Sequence, residues 1–314
     1  MATSPGTSPD TPPDTPPDAS PARPGPPPPR YGRWTPGPLL GQGGLGRVFL
    51  AHDGTGRAAA LRVVRASLAR DQEFRARFAR EVHAIGAVRG RRVAALVDAD
   101  PHGTAPWLAT QYVHGPTLAV RVRDLGGPLG TPELRALANA LAGALNDIHR
   151  AGLVHGGLRP SNVILAADGP RVVGFGTAGC VERAEYREGR GGGAGYTAPE
   201  LRAPGARKPP ADVFALGAVL AFAAAGRAPF DAGGEAGAPD LADVPRELLP
   251  LITACLAGHP TARPAPRTVA RMAGLPLPGS RRRALSLAGT LFLAQLPAVA
   301  GPLGGRWRSR TGER

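Results

Sequence analysis

Apolar residues recur along this chain at two periods, and the change of period divides it. Between residues 31 and 64 the pattern reads as strands. Arg47-Val48-Phe49-Leu50-Ala51 follows a glycine cluster, and Ala58-Ala59-Ala60-Leu61-Arg62-Val63-Val64 follows the turn Asp53-Gly54-Thr55-Gly56. From 72 to 88 the spacing turns helical, because Phe74, Phe78, Val82 and Ile85 line one face of a helix. Trp107–Val113 predicts a further strand. Residues 132–151 carry Pro132 in the first turn, then Leu134, Leu137, Leu141, Leu145 and Ile148, with Gly152 past the end, and predict a long helix. The run Val213–Ala225 is apolar on every side and predicts a buried helix. Together these elements predict an α+β molecule with a small β-rich N-terminal part and a larger helical C-terminal part.

Both ends depart from this pattern. Residues 1–30 hold 12 of the 36 prolines, including the run Pro26–Pro29 and a tandem Thr-Pro-Pro-Asp. Such a segment is extended and has too little apolar surface to fold, so 1–30 is expected to be a disordered spacer or a docking ligand for a proline-reading module. At the other end Ala284–Leu303 is 20 residues without a charge. At about 1.5 Å per residue a helix of that length crosses roughly 30 Å, one bilayer core. Arg281, Arg282 and Arg283 precede it, and Arg306, Arg308 and Arg310 follow. Gln295, Pro297, Pro302, Gly289 and Gly301 count against a span. The alternatives are a single-pass anchor for a cytoplasmic domain, an apolar helix packed on the body, or a peripheral tail.

Composition narrows the function classes. A chain of 314 residues, 42% hydrophobic, can bury a sizeable core as one two-lobed domain or two ordinary ones. Two cysteines, Cys180 and Cys255, exclude a disulfide scaffold and a four-cysteine zinc site. Residues 1–30 contain no apolar stretch that would serve as a signal peptide, so a reducing, cytoplasmic setting is expected. The net charge of +14 invites a nucleic-acid reading. Of the 38 basic residues, however, all but Lys208 are Arg, which resembles coding bias, and they are scattered except in 281–314. No basic and aromatic interleaving or zinc-finger spacing accompanies them, and no nucleic-acid partner is expected.

Candidate chemistry begins at Leu40–Val48. Gly41, Gly43 and Gly46 form G-x-G-x-x-G with Val48 two residues on. Glycines let a backbone approach phosphates. In a dinucleotide-binding unit the motif would open a helix; here a strand follows, and alone the motif also fits a glycine-rich hairpin. Further motifs follow in order. Glu81 lies on the first helix, then come Leu153-Val154-His155-Gly156-Gly157-Leu158-Arg159-Pro160-Ser161-Asn162 and Val173-Gly174-Phe175-Gly176. After them stand Ala198-Pro199-Glu200, Asp212-Val213-Phe214-Ala215-Leu216-Gly217 and Arg263-Pro264.

This order and spacing resemble the protein kinase family, in particular the bacterial eukaryote-like Ser/Thr kinases, over residues 31–275. The resemblance implies a two-lobed fold with an N-lobe at 31–110, a hinge at Gln111–Val113, a C-lobe at 114–275 and a tail at 276–314. It implies an adenine site at Val48, Ala60 and Ile164, with Gln111 and Val113 at the hinge. It places Ile85, His155 and Phe175 in a packed column, Glu200 and Arg263 in a buried ion pair, and Asp212 at the tether of the catalytic loop.

Phosphoryl transfer needs a cation on the phosphates, a carboxylate on Mg²⁺, a carboxylate by the acceptor hydroxyl and an Asn on the second metal. By resemblance the phosphate Lys falls at Arg62, with Glu81 as the helix partner that an Arg could still pair. The catalytic-loop Lys falls at Arg159. The family's His-Arg-Asp reads His155-Gly156-Gly157, so the catalytic Asp is Gly157. Its Asp-Phe-Gly reads Gly174-Phe175-Gly176, so the metal Asp is Gly174. Its Gly-Thr pair reads Gly192-Gly193. Asn162 is retained, but one neutral amide cannot hold a hard cation that takes carboxylates. Asp168 and Glu182 are the nearest substitutes in sequence. The expected function is therefore a kinase-fold signalling protein with protein partners, impaired or inactive as a catalyst, with room for weak ATP binding and little for Mg²⁺. The alternative is a Ser/Thr protein kinase that transfers the ATP γ-phosphate through an unorthodox site.

Overall fold

The computed structural model describes residues 29–176, 194–202, 208–230 and 237–274. A five-stranded antiparallel sheet comes first, built from β1 (Thr35–Gly43), β2 (Gly46–His52), β3 (Ala58–Val64), β4 (Leu96–Asp100) and β5 (Trp107–Gln111) in the order β1-β2-β3-β5-β4. Alternation on β2 and β3 gives the sheet two apolar faces. Ala51, Ala59, Leu61, Trp107 and Ala109 form one, sealed by Trp34. The Trp34 indole N–H donates to Asp98 at 3.0 Å, which satisfies its one polar atom.

Between β3 and β4 run the short α1 (Ala66–Ala69) and the long α2 (Gln72–Ala87). Asp71 caps α2 by accepting from the Glu73 and Phe74 amides. Phe74, Phe78, Val82 and Ile85 are its buried residues, as the spacing predicts, and face the other side of the sheet.

Past the hinge, α3 (Leu118–Val120) leads to α4 (Thr131–Arg150), and a two-stranded ribbon of β6 (Val163–Ala166) and β7 (Gly169–Val172) follows. Then come α5 (Pro209–Ala225), α6 (Leu249–Cys255) and α7 (Pro266–Met272). Helix α5 is apolar all round because it is enclosed: every residue from Ala211 to Ala224 is buried. It ends at Gly226, whose φ of 77° stops the helix in a left-handed turn. One continuous core runs from Leu45 and Phe78 through Ile85 and Phe175 to α4, α5 and α6. The sheet part and the helical part are therefore two lobes of one α+β body, with the ribbon between them.

Among the described residues no helix is long and apolar enough to cross a membrane. Residues 1–28 of the segment 1–30 expected to be disordered, Glu182, Gly192, Gly193, Cys180 and the apolar stretch 284–303 lie outside the described residues.

Candidate functional site

Register places the cleft residues. Val48 stands opposite Arg62 and Leu50 opposite Ala60 across β2 and β3, so Val48, Ala60 and Arg62 share one sheet face. Thr110 and Leu108 of β5 continue that face opposite Ala60 and Arg62. From the other lobe Ile164 and Val173 pack against buried Val113, Ala94 and Ala166. Apolar residues of the second lobe thus pack against the hinge. Gln111 is exposed, and its side-chain oxygen accepts from the Arg171 guanidinium at 3.3 Å. Arg171 also holds Asp168, with N and O 2.6 Å apart. The sequence did not single out Arg171, and only the strand pairing shows it facing the hinge.

The three glycines of the hairpin differ. At Gly41 and Gly43 a β-carbon would meet nothing within 4 Å. At Gly46 it would lie only 2.0 Å from the Val63 carbonyl oxygen, with φ at 153°. Gly46 is therefore required by the close approach of β3, whereas Gly41 and Gly43 leave open space over the cleft. Leu45, between Gly43 and Gly46, is buried with Val64, Phe74 and Phe78, and the Arg65 guanidinium donates to the Gly43 carbonyl at 3.0 Å.

The catalytic-loop segment is held from below. Asp212, at the start of α5, accepts from the His155 and Gly156 amides at 2.8 Å each, and its Oδ2 lies 2.8 Å from His149 Nε2. His155 is fully buried, and burial holds its imidazole below the usual value, opposed in part by the Asp212 charge. Its Nδ1 lies 3.3 Å from the Gly157 amide. Asn162 donates its side-chain N–H to the Gly157 carbonyl at 2.7 Å, and its backbone carbonyl accepts from the Val173 amide. The column residues Ile85, Phe175 and His155 are all buried, and α2 stands so close that a β-carbon at Gly176 would meet Ile85 Cγ1 at 2.7 Å.

Above this loop lies Gly174, at φ 74°. A β-carbon there would stand 3.5 Å from Nη2 of Arg62 and 3.8 Å from the Asn162 amide. The structure therefore brings together Arg62, Asn162 and Gly174 as the resemblance requires, and the Gly174 side-chain direction opens on a guanidinium. Burial pushes Arg62 below its ordinary value, and the charge of Arg159 adds in the same direction. Among the described residues Arg62 makes no ion pair, and Glu81 on α2 has an interaction of its own. The planar guanidinium is larger than an ammonium, and its Nη2 reaches the Gly174 side of the cleft.

Mg²⁺ does not fit these residues. A divalent hard cation needs carboxylate oxygens, and the place a carboxylate would occupy at Gly174 adjoins a cation instead. Among the described residues no cluster of three acidic, His or Cys side chains could hold a metal. Asp168 is bound to Arg171, and its carbonyl accepts from Arg92. Val48 and Ala60 on the sheet face, and Val113 and Ile164 at the hinge, supply apolar surface of the kind a base takes.

Glu200 and Arg263 form the expected pair, bidentate at 2.6 and 2.8 Å. Arg263 also donates to the carbonyls of Ala257, Pro210 and Gly258 and lies over the Phe214 ring.

Comparison with known proteins agrees with this geometry. The family profile described as Protein kinase domain matches residues 34–273. Serine/threonine-protein kinase AfsK of Streptomyces griseus is 45% identical over 239 residues, 72% of this chain and 30% of that protein. Probable serine/threonine-protein kinase PkwA of Thermomonospora curvata is 42% identical over 254 residues, 78% of this chain and 34% of that protein. The chain thus spans about a third of the length of these curated relatives. The crystal structure of the Mycobacterium tuberculosis PknI kinase domain superposes with a TM-score of 0.64 at 27% identity, covering 78% of this chain and 96% of that one.

Proposed function

The chain belongs to the protein kinase family, with Ser/Thr kinase relatives and a protein kinase fold, and from that premise we propose that it is a pseudokinase: a kinase-fold signalling protein that engages protein partners, is impaired or inactive in phosphoryl transfer, and binds ATP weakly at most. The observation that carries the reading is the pair Gly157 and Gly174. Each stands where transfer needs a carboxylate, and Arg62 rather than an acid adjoins Gly174. Removing one charged catalytic group commonly costs about 10²–10³ in rate. Two are absent here and the phosphate Lys is altered. Such losses do not add within one catalytic unit, yet little rate should remain. The scaffold residues that give a kinase its shape, Asp212, Glu200, Arg263, Ile85 and Phe175, are kept and packed, so shape is the feature a partner can read.

The test is phosphorylation of the purified full chain and of generic protein substrates with labelled Mg²⁺-ATP. Background incorporation is expected. Robust incorporation that is lost in Asn162→Ala would overturn the reading in favour of an unorthodox Ser/Thr kinase, the activity named for the relatives. We place the kinase-like domain in the cytoplasm, with residues 284–303 as the candidate anchor. Retention in the membrane pellet after carbonate extraction supports that anchor, and release removes it.

A further inference from the structure

The cleft holds cations where its relatives' chemistry calls for a cation and acids together. Arg62 is set into the cleft by β3, opposite Val48 on one side and Leu108 on the other. Its Nη2 reaches to within 3.5 Å of the point where a β-carbon of residue 174 would be. Asn162, 3.8 Å from the same point, presents an amide and no charge. No hydrogen bond or ion pair engages the Arg62 side chain among the described residues. Arg159 is near enough for the two guanidinium charges to repel, and burial of Arg62 adds to that cost.

We propose that this cleft takes the polyphosphate of a nucleotide as the metal-free anion, held by the Arg62 guanidinium, and that Mg²⁺ opposes binding. The proposal rests on the weak ATP binding described above and sharpens it. An anion beside Arg62 would relieve the repulsion from Arg159 and give this half-buried guanidinium a counter-charge. Guanidinium and phosphate match in geometry, through two parallel N–H···O bonds. A magnesium complex of the same nucleotide is a poorer ligand for two reasons. The metal cancels two of the negative charges that Arg62 would meet. It also arrives as a hydrated dication beside a guanidinium, with no carboxylate to receive it. An ordinary kinase site has the opposite preference, so the sign of the metal effect separates the two chemistries.

The experiment is calorimetric titration of the full chain at constant ionic strength with ATP in EDTA, ATP in excess Mg²⁺, pyrophosphate in EDTA, and adenosine. ATP is expected to bind about tenfold or more tightly in EDTA than in Mg²⁺, and pyrophosphate to bind in EDTA by itself. Arg62→Gln should lower the EDTA affinity for ATP about tenfold while leaving adenosine unchanged, and Gly174→Asp should make Mg²⁺ favourable. The metal comparison uses the unaltered protein, so it stands if a variant fails to fold. Equal or tighter binding in Mg²⁺ overturns the proposal. Equal affinity for ATP and adenosine in EDTA overturns it while leaving a base-binding cleft. No binding of ATP in either condition overturns both the proposal and the weak-binding reading beneath it.

Discussion

The side-chain amide of Asn162 donates to the carbonyl of Gly157 at 2.7 Å. The Asn162 backbone amide also closes on Arg159, and its carbonyl receives the Val173 amide. Asn162 thereby ties the catalytic-loop segment to the turn after β7 that carries Gly174. Asn162→Ala is expected to cost about 1–2 kcal/mol in urea unfolding, the loss of one bond and the stranding of a carbonyl. Phosphate incorporation should stay at background before and after the change.

The ion pair of Glu200 with Arg263 lies deep in the helical lobe, with the Arg263 side chain fully enclosed. Removing the acid leaves a buried guanidinium without its counter-charge. Glu200→Ala should therefore destabilise the chain by about 3–5 kcal/mol, read as a lower urea midpoint. Glu200→Asp should recover part of the loss.

His155 gives stability a dependence on pH. Burial lowers its pKa in the folded state from the ordinary 6.5, with Asp212 opposing in part. Above 6.5 both states hold the ring neutral and the fold has its full stability. As pH falls from 6.5 towards the lowered folded value, the unfolded chain takes up the proton first, and unfolding becomes easier. Urea midpoints measured from pH 7.5 to 5 should fall, and His155→Phe should flatten that slope.

The glycines of the hairpin should separate by mutation. Gly43→Ala meets no atom within 4 Å, so its unfolding free energy should change by less than about 0.5 kcal/mol. Gly46→Ala drives a methyl into the Val63 carbonyl and should cost about 2 kcal/mol or more. Thermal melting of both variants is the check.

The strands and helices that alternate or repeat over several residues were legible from the chain alone. Ala58–Val64 is β3 as read, and the helical spacing from Phe74 to Ile85 is the buried face of α2. Strand β4 was not legible, because Leu96–Asp100 is half-buried at every position and shows no alternation. The ribbon strands β6 and β7 have four residues each, too few to display a period. At the site, motif order located Arg62, Asn162 and Gly174, but their convergence needed strand register and the left-handed turn at Gly174. That Arg62 reaches towards Gly174 was not legible either, since residue order does not set where a long side chain points. Leu45 went unmarked because a single apolar residue among glycines carries no periodic signal, although tertiary packing buries it.

That burial has a kinetic side. A hairpin tip anchored through Leu45, with the Gly43 carbonyl clasped by Arg65, behaves as a fixed eave over the cleft and not as a flap. Entry and departure of any occupant then proceed past a stationary roof, and its residence time is set by the grip of the walls alone.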